Sequence, residues 1–110
     1  MDIIEYKDFE KVKMVLGTIT EAEIVPKSAK LIKLTVSFGE LGVRQIVSGI
    51  KEFYPEADGL VGVQAVFLVN LQPREIFGLK SEGMLLGAQA GDNFSLLRTD
   101  KKLPDGSLIT

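Results

Sequence analysis

Cysteine and histidine are both missing from this chain of 110 residues. Their absence removes disulfides, Cys/His zinc sites, iron–sulfur clusters and any chemistry run by a thiol or an imidazole. Long apolar runs are missing too: Ala65 to Val69 falls far short of the roughly 18 consecutive apolar residues of a membrane-spanning helix. The opening Met1-Asp2-Ile3-Ile4-Glu5 is acidic and lacks the apolar stretch of a secretory signal. A soluble, cytoplasmic protein is expected, with no metal or other cofactor. No glycine loop of the phosphate-cradling kind is present, and the carboxylates are scattered without metal-loop spacing. Ser48-Gly49-Ile50-Lys51 fits the Ser-x-x-Lys pattern of some acyl transferases, but the companion motifs of those enzymes are absent. Asn93-Phe94-Ser95 fits a glycosylation acceptor, which carries no meaning without secretion. A binding module is expected rather than an enzyme.

What is present suits one folded domain spanning residues 1–110: 45% of the residues are hydrophobic and the mean hydropathy is positive. The formal net charge is −2, from 13 basic and 15 acidic residues, which by itself argues against a nucleic-acid partner. The distribution is uneven. Residues 1–10 carry Asp2, Glu5, Asp8 and Glu10 against Lys7, whereas residues 26–51 carry Lys27, Lys30, Lys33, Arg44 and Lys51 against Glu40. A chain that is acidic overall can therefore present a basic face.

The organising stretch runs from Val69 to Ala90. An apolar run ends at Asn70, a Pro73-Arg74 corner and a Gly78 break follow, and a second apolar run begins at Met84. Pro73 ends regular strand pairing because it donates no hydrogen bond. Two readings stay open for the crossing: Asn70, Arg74, Lys80, Ser81 and Met84 converge on one binding surface, or they line a long loop that only faces water.

Along the rest of the chain, Asp8 reads as the N-cap of a short helical turn with Phe9 as its core anchor. Val12 to Val25 reads as a long strand in which Val12, Met14 and Leu16 share a side and Gly17 makes a bend or bulge. Ile32, Leu34, Val36 and Phe38 alternate with Lys33, Thr35 and Ser37, a half-buried strand. Val43 to Val47 returns as a third strand, and Ile50 to Tyr54 reads as a short helix ended by Pro55. Gln64 to Leu71 is apolar enough for a strand covered on both sides. Met84 to Gln89, Phe94 to Arg98 and Ser107 to Thr110 complete the set. Many short strands with little helix predict a small all-β barrel.

Taken together, five segments resemble the tRNA-binding domain family of oligonucleotide-binding-fold (OB-fold) modules. They are Asp8-Phe9-Glu10-Lys11-Val12 with Gly17-Thr18-Ile19, Pro26 through Lys30-Leu31-Ile32-Lys33-Leu34, and Arg44-Gln45-Ile46-Val47-Ser48-Gly49-Ile50. Val69-Asn70-Leu71-Gln72-Pro73-Arg74 with Lys80-Ser81-Glu82-Gly83-Met84-Leu85-Leu86-Gly87-Ala88 follows, and then the tail from Leu96-Leu97 through Lys102-Leu103-Pro104-Asp105-Gly106-Ser107. The family includes C-terminal domains or separate subunits of methionyl-tRNA synthetases, free-standing tRNA-binding proteins and CsaA-type export chaperones. The family opening often has an acidic residue and an arginine where this chain has Lys13 and Val15, and an acidic residue where it has Ala29.

The resemblance implies a five-stranded OB-fold barrel with short helices and a C-terminal β extension, recognising tRNA by backbone and shape. The residues it implicates in tRNA binding are Lys30, Lys33, Ser48, Asn70, Arg74, Lys80, Ser81 and Met84, with Lys27 and Arg44 as weaker candidates. Lysine and arginine would neutralise phosphates, Asn70, Ser48 and Ser81 would bond ribose or phosphate, and Met84 would offer an adaptable apolar contact. Each has a plain structural alternative: solvated strand lysines, a turn-stabilising amide, backbone-capping hydroxyls and a core methionine. Ser48-Gly49-Ile50 and Ser81-Glu82-Gly83-Met84 are closer to the synthetase-associated branch than to CsaA. With its own Met1 and no catalytic domain, the chain is expected to act in trans, as a separate tRNA-binding protein or as a dissociable subunit of a methionyl-tRNA synthetase. The apolar tail residues Leu96, Leu97, Leu103, Leu108 and Ile109 point to a homodimer. The alternative function is a CsaA-like chaperone for unfolded preproteins; a third reading is a docking module for a synthetase.

Overall fold

The computed structural model describes residues 1–110, and strands dominate it. After the helical turn α1 (Tyr6–Glu10) come β1 (Met14–Ile24), β2 (Ile32–Ser37) and β3 (Val43–Ser48). β4 (Gln64–Leu68), β5 (Arg74–Ile76), β6 (Leu79–Ser81) and β7 (Met84–Leu85) follow, then the C-terminal hairpin of β8 (Gly87–Ala90) and β9 (Asn93–Leu96). Five strands form one antiparallel sheet in the order β3-β2-β1-β4-β7. The sheet curls until its ends nearly meet, giving the expected five-stranded barrel with a C-terminal β extension.

The alternation of β2 sends Ile32, Leu34 and Val36 into the barrel, where they are completely buried with Ile19, Phe38, Ile46 and Phe67. Phe38 and Phe67 meet edge to face with ring centroids 5.4 Å apart, a favoured aromatic geometry. Gly17 makes room for that pair: a Cβ there would lie 2.5 Å from the Phe38 ring. It is therefore a close-approach position and not the expected bulge. The β1–β2 register slips instead between Ile19 and Glu21.

The barrel closes through one backbone bond and several side chains. The Glu82 N–H donates to Gln45 O at 2.8 Å, the Gln45 N–H donates to Glu82 Oε1 at 3.1 Å, and Ser81 Oγ accepts the Val47 N–H at 3.0 Å. Arg44 reaches through the same gap and donates to the carbonyls of Val69 and Glu82.

Several expectations are corrected. Asp8 does not cap α1 from outside; it lies within the helix and its Oδ2 accepts the Glu5 N–H at 3.1 Å. Phe9 is not a core anchor: it is 36% exposed and its ring contacts Tyr6 rather than the barrel. Val12 is exposed as well, while Val15 and Leu16 are both buried, so the predicted one-sided stripe of Val12, Met14 and Leu16 does not form. Residues 106–109 cover the edge of β1 that β2 leaves free, with Leu16 N–H donating to Ser107 O and Ile109 N–H to Met14 O, each at 2.9 Å. Ile50–Tyr54 makes isolated turns and no regular helix, and the two 3₁₀ turns lie on either side of it, at Gly39–Leu41 and Ala57–Leu60. The run after Met84 divides at Leu86 between β7 and β8, and at Gly87 a Cβ would lie 2.3 Å from the Phe94 ring.

The largest departure is the crossing from Asn70 to Met84. It contains the hairpin β5–β6, with Glu75 opposite Lys80 and Ile76 opposite Leu79. Its two-residue turn is Phe77-Gly78, with φ of +53° and +79°. Positive φ at both central positions matches the right-handed strand twist, and Asn-Gly is the sequence that usually supplies it.

Candidate nucleic-acid interface

The outer surface of β1, β2 and β3 carries the cross-strand row Glu23, Lys33, Val47, set by the registers Glu23↔Lys33 and Lys33↔Val47. The β5–β6 hairpin lies against β3 through the Ser81–Val47 and Gln45–Lys80 bonds. Strand alternation then places Arg74, Ile76, Leu79 and Ser81 on one face of the hairpin and Glu75 and Lys80 on the other. Arg74 and Met84 share a depression of about 80 Å³ with Val47, Ile76 and Ser81. At the hairpin tip, Phe77 and Leu79 form a second, larger cleft of about 270 Å³ with Pro26, Ile24, Glu23 and Lys33. Val47 thus links the two: it pairs with Lys33 and lines the hollow that holds Arg74.

The structure brings Arg74, Ser81 and Met84 together, with Lys33 on the adjoining strand row. Met84 is 43% exposed and can touch a ligand. Lys27 and Lys30 stand exposed on the β1–β2 loop. The ion pairs of the molecule are Lys7–Glu5, Lys11–Asp8 and Lys33–Glu23, so Lys27, Lys30, Arg74 and Lys80 are uncommitted cations. Lys33 is not: its Nζ lies 3.3 Å from Glu23 Oε2.

Other candidates are spent on the fold or point elsewhere. The Asn70 amide is used at both ends, accepting the Lys13 N–H at 2.9 Å and donating to Lys11 O at 2.6 Å. The Ser81 hydroxyl is buried and donates to Gly83 O while accepting from Val47. Arg44 is the closure clamp described above, and Lys80 projects from the face of the hairpin opposite Arg74. Ser48 is half-buried at the end of β3, opposite Ile32. Lys51, from the Ser-x-x-Lys pattern, holds the β1–β2 loop by donating from Nζ to Ser28 O at 3.3 Å and from its backbone N–H to Lys30 O at 3.0 Å. Phe77 was not among the sequence candidates; the local signal for it is an X-Gly pair between Arg74-Glu75-Ile76 and Leu79-Lys80-Ser81.

Residues 14–108 match the family described as "Putative tRNA binding domain". The chain belongs to this tRNA-binding domain family. It is 51% identical over 106 residues to the methionine–tRNA ligase of Methanospirillum hungatei JF-1, covering 96% of this chain and 15% of that protein. It is 44% identical over 110 residues to the methionine–tRNA ligase of Methanocaldococcus jannaschii, covering 99% of this chain and 17% of that protein. The chain thus spans only about a sixth of the length of these curated relatives. Among solved structures, a MetRS related protein from Pyrococcus horikoshii superposes with a TM-score of 0.92 at 34% identity, covering all of both chains. The chaperone CsaA from Bacillus anthracis str. Ames superposes at 0.88 with 34% identity, covering 99% of this chain and all of the other. No helix is long and apolar enough to cross a membrane.

Proposed function

We propose that this chain is a noncatalytic, structure-specific tRNA-binding module that acts in trans in the cytoplasm as a separate, homodimeric subunit of a methionyl-tRNA synthetase. The observation that carries the reading is the set of exposed, unpaired cations Lys27, Lys30 and Arg74 around the strand row and hairpin of a family member that is otherwise acidic. Unpaired cations gain most from phosphate, because no protein partner has to be displaced. The synthetase association is supported by the methionine–tRNA ligases of the two archaea. The homodimer is supported by a cluster of exposed apolar residues from the two ends of the chain, Tyr6, Phe9, Val12 and Leu108, which line one cleft. Leu96, one of the tail residues named from sequence, is instead buried in the barrel.

The test is retention of bulk tRNA across a salt series, with duplex RNA and an unfolded polypeptide as competitors. Affinity is expected to fall log-linearly with salt, with a slope of roughly −0.7 to −0.9 per phosphate contacted. Lys30→Ala combined with Arg74→Ala is expected to flatten that slope and weaken binding while the protein stays folded. The likeness to CsaA favours a second reading, capture of unfolded polypeptide on the apolar cluster. Competition by the polypeptide, with little effect of salt, would establish that reading in place of the first.

A further inference from the structure

Phe77 stands apart from Phe38, Phe67, Phe53, Tyr54 and Phe94, whose rings pack on one another. Its φ of +53° lies in the left-handed region, and it is 58% exposed at the hairpin tip. For a bulky residue that backbone conformation is a genuine outlier, and asparagine would occupy the same turn position with less strain. The ring gains little burial in return. Strain held at an exposed position is a reason to look for a ligand.

The surroundings say what kind. The cleft beside the ring has apolar walls from Ile24, Pro26 and Leu79, and its single cation, Lys33, is already paired with Glu23. A phosphate placed there would meet the Glu23 carboxylate. A neutral planar group with an apolar face meets no such penalty. The unpaired Lys27 and Lys30, on the loop that continues from Pro26, can take the phosphates on either side of it. At about 270 Å³ the cleft is just below the usual range of small-molecule sites, roughly 300–1,000 Å³, so it suits one ring system.

We propose that Phe77 is a stacking platform for one unstacked nucleobase of the bound tRNA, with the backbone on either side held by Lys27 and Lys30. The proposal rests on the tRNA-binding reading above and adds to it a requirement for a single-stranded element, since a base inside a duplex cannot reach an isolated ring. Stacking on an aromatic tolerates any base, because every base has a π-face.

The chain contains no tryptophan, so Phe77→Trp introduces a single fluorescent reporter. Retention of bulk tRNA is measured in parallel, together with a blunt RNA duplex. The expected result is quenching of Trp fluorescence by tRNA and none by the duplex, with Phe77→Asn binding tRNA roughly five- to hundredfold more weakly than the unaltered protein. Phe77→Asn should at the same time melt several degrees higher, having lost its backbone strain, so weaker binding cannot be put down to a damaged fold. Salt-dependent retention of tRNA without quenching, or with unchanged affinity for Phe77→Asn, overturns the stacking platform and leaves the tRNA-binding reading standing. Failure of the unaltered protein to retain tRNA at any salt concentration overturns both.

Discussion

Lys33 Nζ lies 3.3 Å from Glu23 Oε2, directly across the β1–β2 ladder, so the lysine nearest the hairpin tip is held by its own protein. The pair is partly exposed and contributes below about 1 kcal/mol to stability. Glu23→Gln therefore leaves the melting temperature nearly unchanged and releases a cation toward RNA. Retention of tRNA by this variant is expected to be about two- to fivefold tighter at low salt, with a salt slope steeper by up to about one unit. An unchanged slope would mean that no phosphate comes near Lys33.

Asn70 joins the end of β4 to the segment between α1 and β1 through both ends of its amide. Asn70→Ala removes two hydrogen bonds and is expected to cost about 1–2 kcal/mol, read as a lowered midpoint in urea. Binding to tRNA per folded molecule should be unaltered. A selective loss of binding at full stability would give Asn70 a direct contact with RNA.

Ser81→Ala makes a similar distinction within the barrel closure. The Val47 N–H would lose its acceptor in a buried position, a loss of about 1–3 kcal/mol. Thermal unfolding should show it, and Ser81→Thr should restore stability only where its extra methyl fits beside Gly83.

Gly17→Ala forces a methyl against the Phe38 ring. Overpacking of this kind costs about 1–3 kcal/mol, so the variant should melt lower while retaining the barrel's circular dichroism. Accommodation without loss of stability would require Phe38 to turn away from Phe67.

Phe9→Glu with Leu108→Glu places charges in the apolar cluster at the chain ends, where both side chains are exposed. Sedimentation at micromolar concentration is expected to fall from the mass of two chains to that of one, 12.0 kDa. A one-chain mass for the unaltered protein would remove the homodimer from the reading.

The barrel was legible where side-chain alternation is strict. Ile32 to Phe38 announces its buried face residue by residue, and the run at Gln64 to Leu71 announces a strand covered on both sides, which forms over Gln64–Leu68 and stops short of Leu71. The crossing was harder. Its hairpin turns on Phe-Gly, and a bulky residue at the first turn position conceals a signal that Asn-Gly would have displayed. Phe9 looked like core because an isolated aromatic carries no information about which surface will cover it. The candidate site divided for a related reason: residue type reveals what a group can bond, not what it meets. The partners of Asn70 lie 57 and 59 positions away, and the Glu23–Lys33 pair depends on a register that slips between Ile19 and Glu21. Lys30 and Arg74 form no ion pair, which local sequence could only suggest.

The seam between β3 and the segment Ser81–Met84 is fastened by a single backbone bond and individual side chains in place of a continuous ladder. Two of its amides are thus guarded singly, Gln45 by the Glu82 carboxylate and Val47 by the Ser81 hydroxyl, and fluctuation of those two groups exposes them without unfolding the rest. In hydrogen-exchange terms, Gln45 and Val47 belong to a less protected class than Leu34, which sits in the regular ladders of the same barrel. The hollow holding Arg74 and Met84 opens beside that seam, so a molecule occupying it would slow exchange at Gln45 and Val47 before it altered exchange anywhere in the core.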